Sequence, residues 1–290
     1  MNVRLCLWLR TRVSRHHDRL DVMVHEPFLP LANSFARANV VAIVQRGMIA
    51  LVLHAATQIW VSTTSWNPLL RSYAPTGATF DRLPVPSSFG VNRNEAALAQ
   101  VRAAVRGSDS MVVGHLGTFG TATLGLLGDA LARVAVRHEC AAFLLLGRGS
   151  DVARVRLEAE HPVLAGRLQA SGVLDDAGIS QHLQACDLML QPYPDGASCR
   201  RTSLMAALQH GLPIVTTTGA LTEPCWAERS AVALVAVGDA DAFADRACAL
   251  LDDADARARL GVLATAMYRD EFSADRALER LAAQHETSVA

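Results

Sequence analysis

"SCRRTSLMAALQHGLPIVTTTG" occupies residues 198–219. Leu204, Met205 and Leu208 recur at helical spacing, Gly211 stands where a helix takes a left-handed cap, and Pro213 forbids continuation. "PIVTTTG" then reads as a β-branched strand ending in a glycine turn. The stretch is therefore one helix–strand unit of an α/β chain. Its helix opens on two adjacent cations, Arg200 and Arg201, although the positive end of a helix dipole disfavours a cation by about 0.3–1 kcal/mol at an exposed site. Thr202 or Ser203 is the expected N-cap.

The same alternation extends in both directions. Upstream, "SMVVGHLG" (110–117) is a strand entering a glycine turn, and "TATLGLLGDALARVAVRH" (121–138) is an amphipathic helix. "CAAFLLLGRGS" (140–150) is a buried strand leading to a helix from Asp151. "LQASGVLD", "AGISQHLQAC" and "DLMLQPYPDG" give strand, helix and strand, and downstream "VALVAVGD" and "ADAFADRACALLDD" add a strand and a helix. Near-continuous apolar strands alternating with helices predict a parallel sheet covered on both faces. In the N-terminal part, "LDVMVHEP" (20–27) and "QIWVST" (58–63) read as strands around a helical run at 40–56. "RLPVPSSFGVNRN" (82–94) reads as a connection between domains. The expected division is 1–88 for a first domain, 89–108 for a linker and entry, 109–270 for a second domain and 271–290 for a last helix and tail.

Composition narrows the function. The chain of 290 residues is 51% hydrophobic with a formal net charge of -1 and 5% aromatics, which argues against a nucleic-acid surface. All 27 long-chain cations are arginine, so any such contact to a phosphate must come from Arg. The six cysteines show neither metal-ligand nor disulfide spacing. "LCLWL" (5–9) is too short for a signal-peptide core, and the apolar run at 38–61 is interrupted by Gln45, Arg46 and His54. A cytoplasmic location is expected, or a peripheral one at the inner membrane face; contact with a membrane surface is compatible with the sequence but not signalled by it.

Three candidate sites stand at strand ends, where ligands bind in such sheets. In "GHLGTFG", the glycines permit close backbone approach, and the amides of Gly117, Thr118, Phe119 and Gly120 can face a phosphate near a helix start. An ordinary strand–helix turn is the competing reading. A dinucleotide fingerprint is disfavoured because the next strand ends in Gly147-Arg148-Gly149 and not in a ribose-binding acid. Arg148 between glycines can face an anionic ligand or simply lie on the surface. At the third site, Arg200, Arg201, Thr202 and Ser203 meet at one helix start, and a bound anion would make both cations favourable. The alternative pairs Arg200 or Arg201 with Asp195 or Glu223.

These motifs together resemble the retaining GT-B-fold glycosyltransferases grouped as family 4, over about 20–282 and most strongly over 111–219. "VVGHLGTFG" resembles the first strand and phosphate loop of that family's C-terminal domain, and "LLLGRG" its second strand. "ISQHLQACDLMLQPYPDG" and "ALQHGLPIVTTTG" resemble two later segments, in the same order. The resemblance implies an α/β fold with two Rossmann-like domains and a nucleotide-sugar donor held by the second. It further implies no metal, retention of configuration, and the setting of cell-surface polysaccharide biosynthesis. The acceptor would be a glycan, lipid or small molecule. Two departures stand out. The family's E-x7-E acids are replaced by Ser198 and Ala206, and His115 stands near the position of its phosphate-binding Arg. Arg200 and Arg201 are the natural replacements for the missing cations, and Asp195 is the nearest carboxylate for a donor hydroxyl.

The N-terminal block is shorter than its counterpart in the family and is expected to be incomplete. His25 and Glu26, at a strand end, stand where catalytic or cleft-facing residues occur in relatives. A non-catalytic sugar-nucleotide-binding or interaction protein of the same fold is the alternative to a transferase, and an epimerase acting on the donor is a third reading.

Overall fold

In a computed structural model the chain is described at residues 2–31, 37–105 and 110–289, with side chains described to 284. It divides into two units, Met1–Pro84 with Arg280–Ala290, and Val85–Glu279. The expected boundary at 88/89 lies four residues beyond the division at Pro84; residues 106–108 of the expected linker and residue 109 of the expected second domain lie outside the described residues.

The first unit runs α1 (Val3–His16), β1 (Asp21–Val24), α2 (Arg37–Leu53), β2 (Gln58–Val61), α3 (Asn67–Arg71) and β3 (Asp81–Arg82). The three strands pair in parallel in the order β1-β2-β3, with Asp21 opposite Gln58 and Trp60 opposite Asp81. All four residues of β2 are buried, as expected of a central strand. Val24, Leu53, Ile59, Val61 and Leu70 form the core. Helix α1 was not anticipated from sequence. Asn2 caps it by accepting from the Leu5 amide at 3.1 Å, and its packing on α2 buries Cys6.

The second unit runs α4 (Glu95–Val105), β4 (Val112–Leu116), α5 (Thr121–Arg137), β5 (Ala142–Leu146), α6 (Ser150–Glu160), β6 (Leu168–Ala170), α7 (Asp176–Ala185), β7 (Leu188–Gln191), α8 (Thr202–Gln209), β8 (Ile214–Thr218), α9 (Cys225–Arg229), β9 (Ala233–Ala236), α10 (Ala240–Asp252) and α11 (Ala254–Met267). A π-helical turn, Tyr268–Phe272, leads to α12 (Ala274–Val289), whose residues from Arg280 onward belong to the first unit. Helix α4 falls within the expected linker. It packs on α7, where Arg102 donates to the Gln184 carbonyl at 3.2 Å.

All strand pairs of this unit are parallel, in the order β6-β5-β4-β7-β8-β9. Both faces are buried, and alternation divides each strand between two cores. On β5, Leu144 and Leu146 join Met189, Leu204 and Trp226, whereas Phe143 and Leu145 join Leu127, Leu131 and Leu188. Each such side chain contributes about 1.5–3 kcal/mol by leaving water. The strand order places a switch point between β4 and β7: from there successive strands run outward in opposite directions. A crevice opens at the carboxyl ends of strands at such a point.

Candidate nucleotide-sugar site

At this switch point Val113 lies opposite Leu188 and Gly114 opposite Met189. A cavity of about 210 Å3 opens beyond the strand ends. Its lining includes Gly117, Thr118 and Phe119 from the β4–α5 loop, and Arg200, Arg201, Thr202 and Ser203 at the start of α8. Two segments 80 residues apart in sequence, each read separately as an anion site, thus face one cavity. Its volume suits a diphosphate group and is below the roughly 300–1,000 Å3 of pockets for whole drug-sized ligands. A larger groove of about 740 Å3 lies elsewhere, between α1 and α2, and is lined mainly by apolar side chains. The assignment rests on chemistry, because the smaller cavity gathers the cations and helix starts.

The β4–α5 loop is fixed at both ends. The Gly117 amide donates to the Leu146 carbonyl at 3.1 Å. Gly147 sits at φ +114°, and a Cβ there would stand 2.6 Å from the Gly117 oxygen, so the two glycine turns pass too closely for any side chain. Phe119 adopts a left-handed φ of 55°, and its ring lies 5.5 Å from that of His115. Gly120 is the N-cap of α5 and supplies no side-chain cap, which leaves the helix start open to an anion.

Helix α8 begins in the same manner, with a correction to the sequence reading. Neither Thr202 nor Ser203 caps it: Arg201 occupies the N-cap position, and no side chain bonds the first turn. The Ser203 hydroxyl instead meets the Tyr193 hydroxyl at 2.9 Å, and the Arg201 guanidinium lies 4.6 Å from the Tyr193 ring centroid. Burial pushes the Tyr193 phenol up to about 12, so it remains protonated and hydrogen-bonding. The end of α8 matches the sequence reading, with Gly211 at φ +66°. From beyond β8, buried Glu223 accepts from the Cys199 amide at 3.2 Å and from Trp226 Nε1 at 3.0 Å, which fixes the backbone that delivers Arg200.

Asp195 pairs with both arginines, holding Arg200 Nη2 at 2.6 Å and Arg201 Nη2 through its other oxygen. The pairing alternative raised by the sequence is therefore present for Asp195, whereas Glu223 accepts from the Cys199 amide and from Trp226 Nε1. The trio carries one net positive charge and still presents two guanidinium groups to the cavity.

His115 forms part of the wall. Its Nδ1 lies 2.8 Å from the Leu190 carbonyl, across the β4–β7 junction. A carbonyl only accepts, so Nδ1 carries the proton and Nε2 presents a lone pair. Nε2 is buried and has no hydrogen-bond partner. Burial pushes the ring down to about 4, outweighing the opposing effect of the Leu190 bond, and leaves it neutral at physiological pH. The cavity thus gathers two cations and two helix starts, with the neutral His115 ring packed behind Gly117 in its wall.

The remaining candidates lie outside this lining. Arg148 is exposed on its turn, and Gly120 stands at the helix start behind the loop. His25 and Glu26 are exposed after β1 in the first unit, where the His25 carbonyl accepts from Ser62 Oγ at 3.0 Å and Trp66 Nε1 at 3.1 Å. His115, Thr123 and Tyr193 line the cavity without having been selected from sequence as site residues. His115 was noted only for standing near a relative's Arg, and Tyr193, between two prolines, gave no local signal.

The fold is an α/β GT-B-like architecture, with a cavity lined by two arginines and two helix starts in its second unit. Residues 110–253 match the family model for glycosyl transferases group 1. A comparison with curated protein sequences gives no match. Among solved structures, sucrose-phosphate synthase from Thermosynechococcus elongatus is similar at 17% identity, with 93% of this chain and 68% of that one covered and a TM-score of 0.72. Anabaena HepE in complex with UDP-glucose is similar at 17% identity, 98% and 77% coverage and a TM-score of 0.71. A glycosyltransferase from Rickettsia africae ESF-5 gives 11% identity, 98% and 80% coverage and a TM-score of 0.71. At these identities the likeness bears on the fold.

Proposed function

We propose that the protein transfers a sugar from a nucleoside-diphosphate sugar to an acceptor hydroxyl with retention of configuration. The observation that carries this reading is the convergence of Arg200, Arg201 and two uncapped helix starts on one cavity at the switch point. The donor's diphosphate would lie among them, accepting from both guanidinium groups and from the backbone amides of the two helix starts. The bond between the anomeric carbon and the diphosphate oxygen breaks as the acceptor oxygen bonds to that carbon from the same face. The acceptor's proton passes to the departing phosphate. Preorganised cations stabilise the charge that develops on the leaving group, so this chemistry needs no metal ion. HepE has been captured with UDP-glucose and pneumococcal GtfA with UDP and GlcNAc, which supports a uridine nucleotide as the first donor to test.

The acceptor is a glycan, a lipid or a small molecule, and cell-surface polysaccharide assembly by a cytoplasmic or peripheral enzyme is the setting that fits. His25 and Glu26 are proposed as acceptor-side residues, and Arg148 as a peripheral donor contact. A second reading, a sugar-nucleotide-binding protein without transferase activity, is favoured by Asp195, which neutralises half of the cationic charge at the site. The test is UDP release from UDP-glucose and UDP-GlcNAc in the presence of fractionated cell extracts as acceptor source. Turnover that disappears in the Arg200→Ala/Arg201→Ala variant supports the transferase; nucleotide binding without release supports the second reading.

A further inference from the structure

We infer that Cys199 and Cys225 form a reversible oxidation site, at which a hydroperoxide converts the two thiols to a disulfide and the closure shifts the start of α8. The residues stand 26 apart in sequence, and their sulfurs lie 3.9 Å from each other. The fold brings them together because β7 and β8 are neighbours in the sheet. Cys199 lies in the segment between β7 and α8, and Cys225 opens α9 beyond β8. Cys199 is fully buried, whereas Cys225 is partly exposed. One sulfur is therefore reachable from solvent and a second stands in contact with it, the arrangement of a reactive thiol and its resolving thiol. Disulfides of reducing compartments are typically of this transient, redox-sensing kind.

The Cys225 thiolate attacks one peroxide oxygen and the O–O bond breaks. A sulfenic acid forms, and the departing hydroxide takes up the proton given by the thiol, leaving as water. The Cys199 sulfur then attacks the sulfenic sulfur, and the hydroxyl departs with the Cys199 proton as a second water. Each sulfur gives up one electron, and the two electrons reduce the peroxide. A disulfide holds its sulfurs about 2.05 Å apart, so the pair must close by about 2 Å. Cys199 adjoins Arg200, and its amide is the group held by Glu223, two residues before Cys225. Closure pulls on both sides of the contact that fixes Arg200. Its effect on a nucleotide rests on the donor reading proposed above; the oxidation itself does not.

The test treats the full-length protein with hydrogen peroxide, alkylates the remaining thiols and maps the peptides by mass spectrometry. A link between Cys199 and Cys225 is expected, reversed by dithiothreitol and lost in Cys225→Ser and Cys199→Ala. It should persist in Cys140→Ser, which removes an exposed thiol elsewhere. The wild type carries the main result, so a variant that fails to fold does not remove it. Amide hydrogen exchange over residues 198–203 should rise on oxidation, and UDP affinity should fall by about tenfold, the value of one charge-assisted hydrogen bond. Peroxide that leaves both residues as thiols, or that carries Cys225 to a sulfinic acid without a link to Cys199, overturns the inference. So does a link that leaves exchange over 198–203 unchanged. Reduced protein that binds no UDP contradicts the donor reading alone, because the link and the exchange are measured without nucleotide.

Discussion

Asp195 and Arg200 form an ion pair of 2.6 Å beside the α8 start, with side chains 29% and 11% exposed respectively. With Arg201 on its other oxygen, the carboxylate orients both guanidinium groups while competing with any anion that approaches them. The competition sets a sign. Asp195→Asn keeps a carbonyl oxygen to hold one arginine and removes the competing charge, so UDP affinity should rise by roughly threefold to tenfold at low salt. Calorimetric titration at two salt concentrations checks this, because the gain should shrink as salt screens the site. A loss of affinity would mean that Asp195 serves the donor directly.

His115 links the site to pH. Its folded-state pKa of about 4 lies below the unfolded value of 6.5, so the unfolded chain takes up the proton first as pH falls. Folding stability from this group is therefore complete above about pH 6.5 and declines toward pH 4, by about 2 kcal/mol between pH 7 and 5. The His210 pKa is also lowered by burial and acts in the same direction. The informative quantity is the difference between wild type and His115→Asn, whose amide can still donate to Leu190. Urea unfolding at pH 7 and 5 should show a smaller acid loss in the variant. Equal losses would place the sensitivity elsewhere.

The close pass of Gly147 and Gly117 gives a third expectation. Gly147→Ala puts a Cβ 2.6 Å from a backbone oxygen at a positive φ, so it should cost about 2 kcal/mol or more of stability and weaken UDP binding by moving the loop. Gly120→Ala meets nothing within 4 Å at an ordinary φ of -58° and should leave the melting temperature close to wild type. Thermal melts of both variants with and without UDP make the comparison. Equal effects at the two positions would contradict the geometry.

What the sequence revealed follows physical range. Strands with near-continuous apolar runs, such as "AFLLL" in β5, and helices ended by Gly211 and Pro213 carry local signals, and the parallel α/β unit was legible from them. Helix α1 was not, because "LCLWLRTRV" mixes apolar and cationic residues and gains order by packing on α2 and capping by Asn2. Strand β3 has two residues, too few for any period to show. At the site, glycines and paired arginines were readable because their local chemistry is unusual. The bond from His115 to Leu190, the stacking of Tyr193 beneath Arg201 and the double pairing of Asp195 depend on partners brought together by β4, β7 and α8. No short window contains them. The N-cap expectation at Thr202 or Ser203 failed for the same reason: Tyr193 engages the Ser203 hydroxyl.

The central claim is that the cavity between the β4–α5 loop and the start of α8 holds the donor's diphosphate. Isothermal titration of UDP into the wild type and into Arg200→Ala, Arg201→Ala and the double variant tests it most directly. A charge-assisted hydrogen bond contributes about 1.5–3 kcal/mol, so each single substitution should weaken binding by about tenfold or more and the double variant further still. Wild-type protein that binds no UDP, or affinity unchanged in the double variant, would contradict the account.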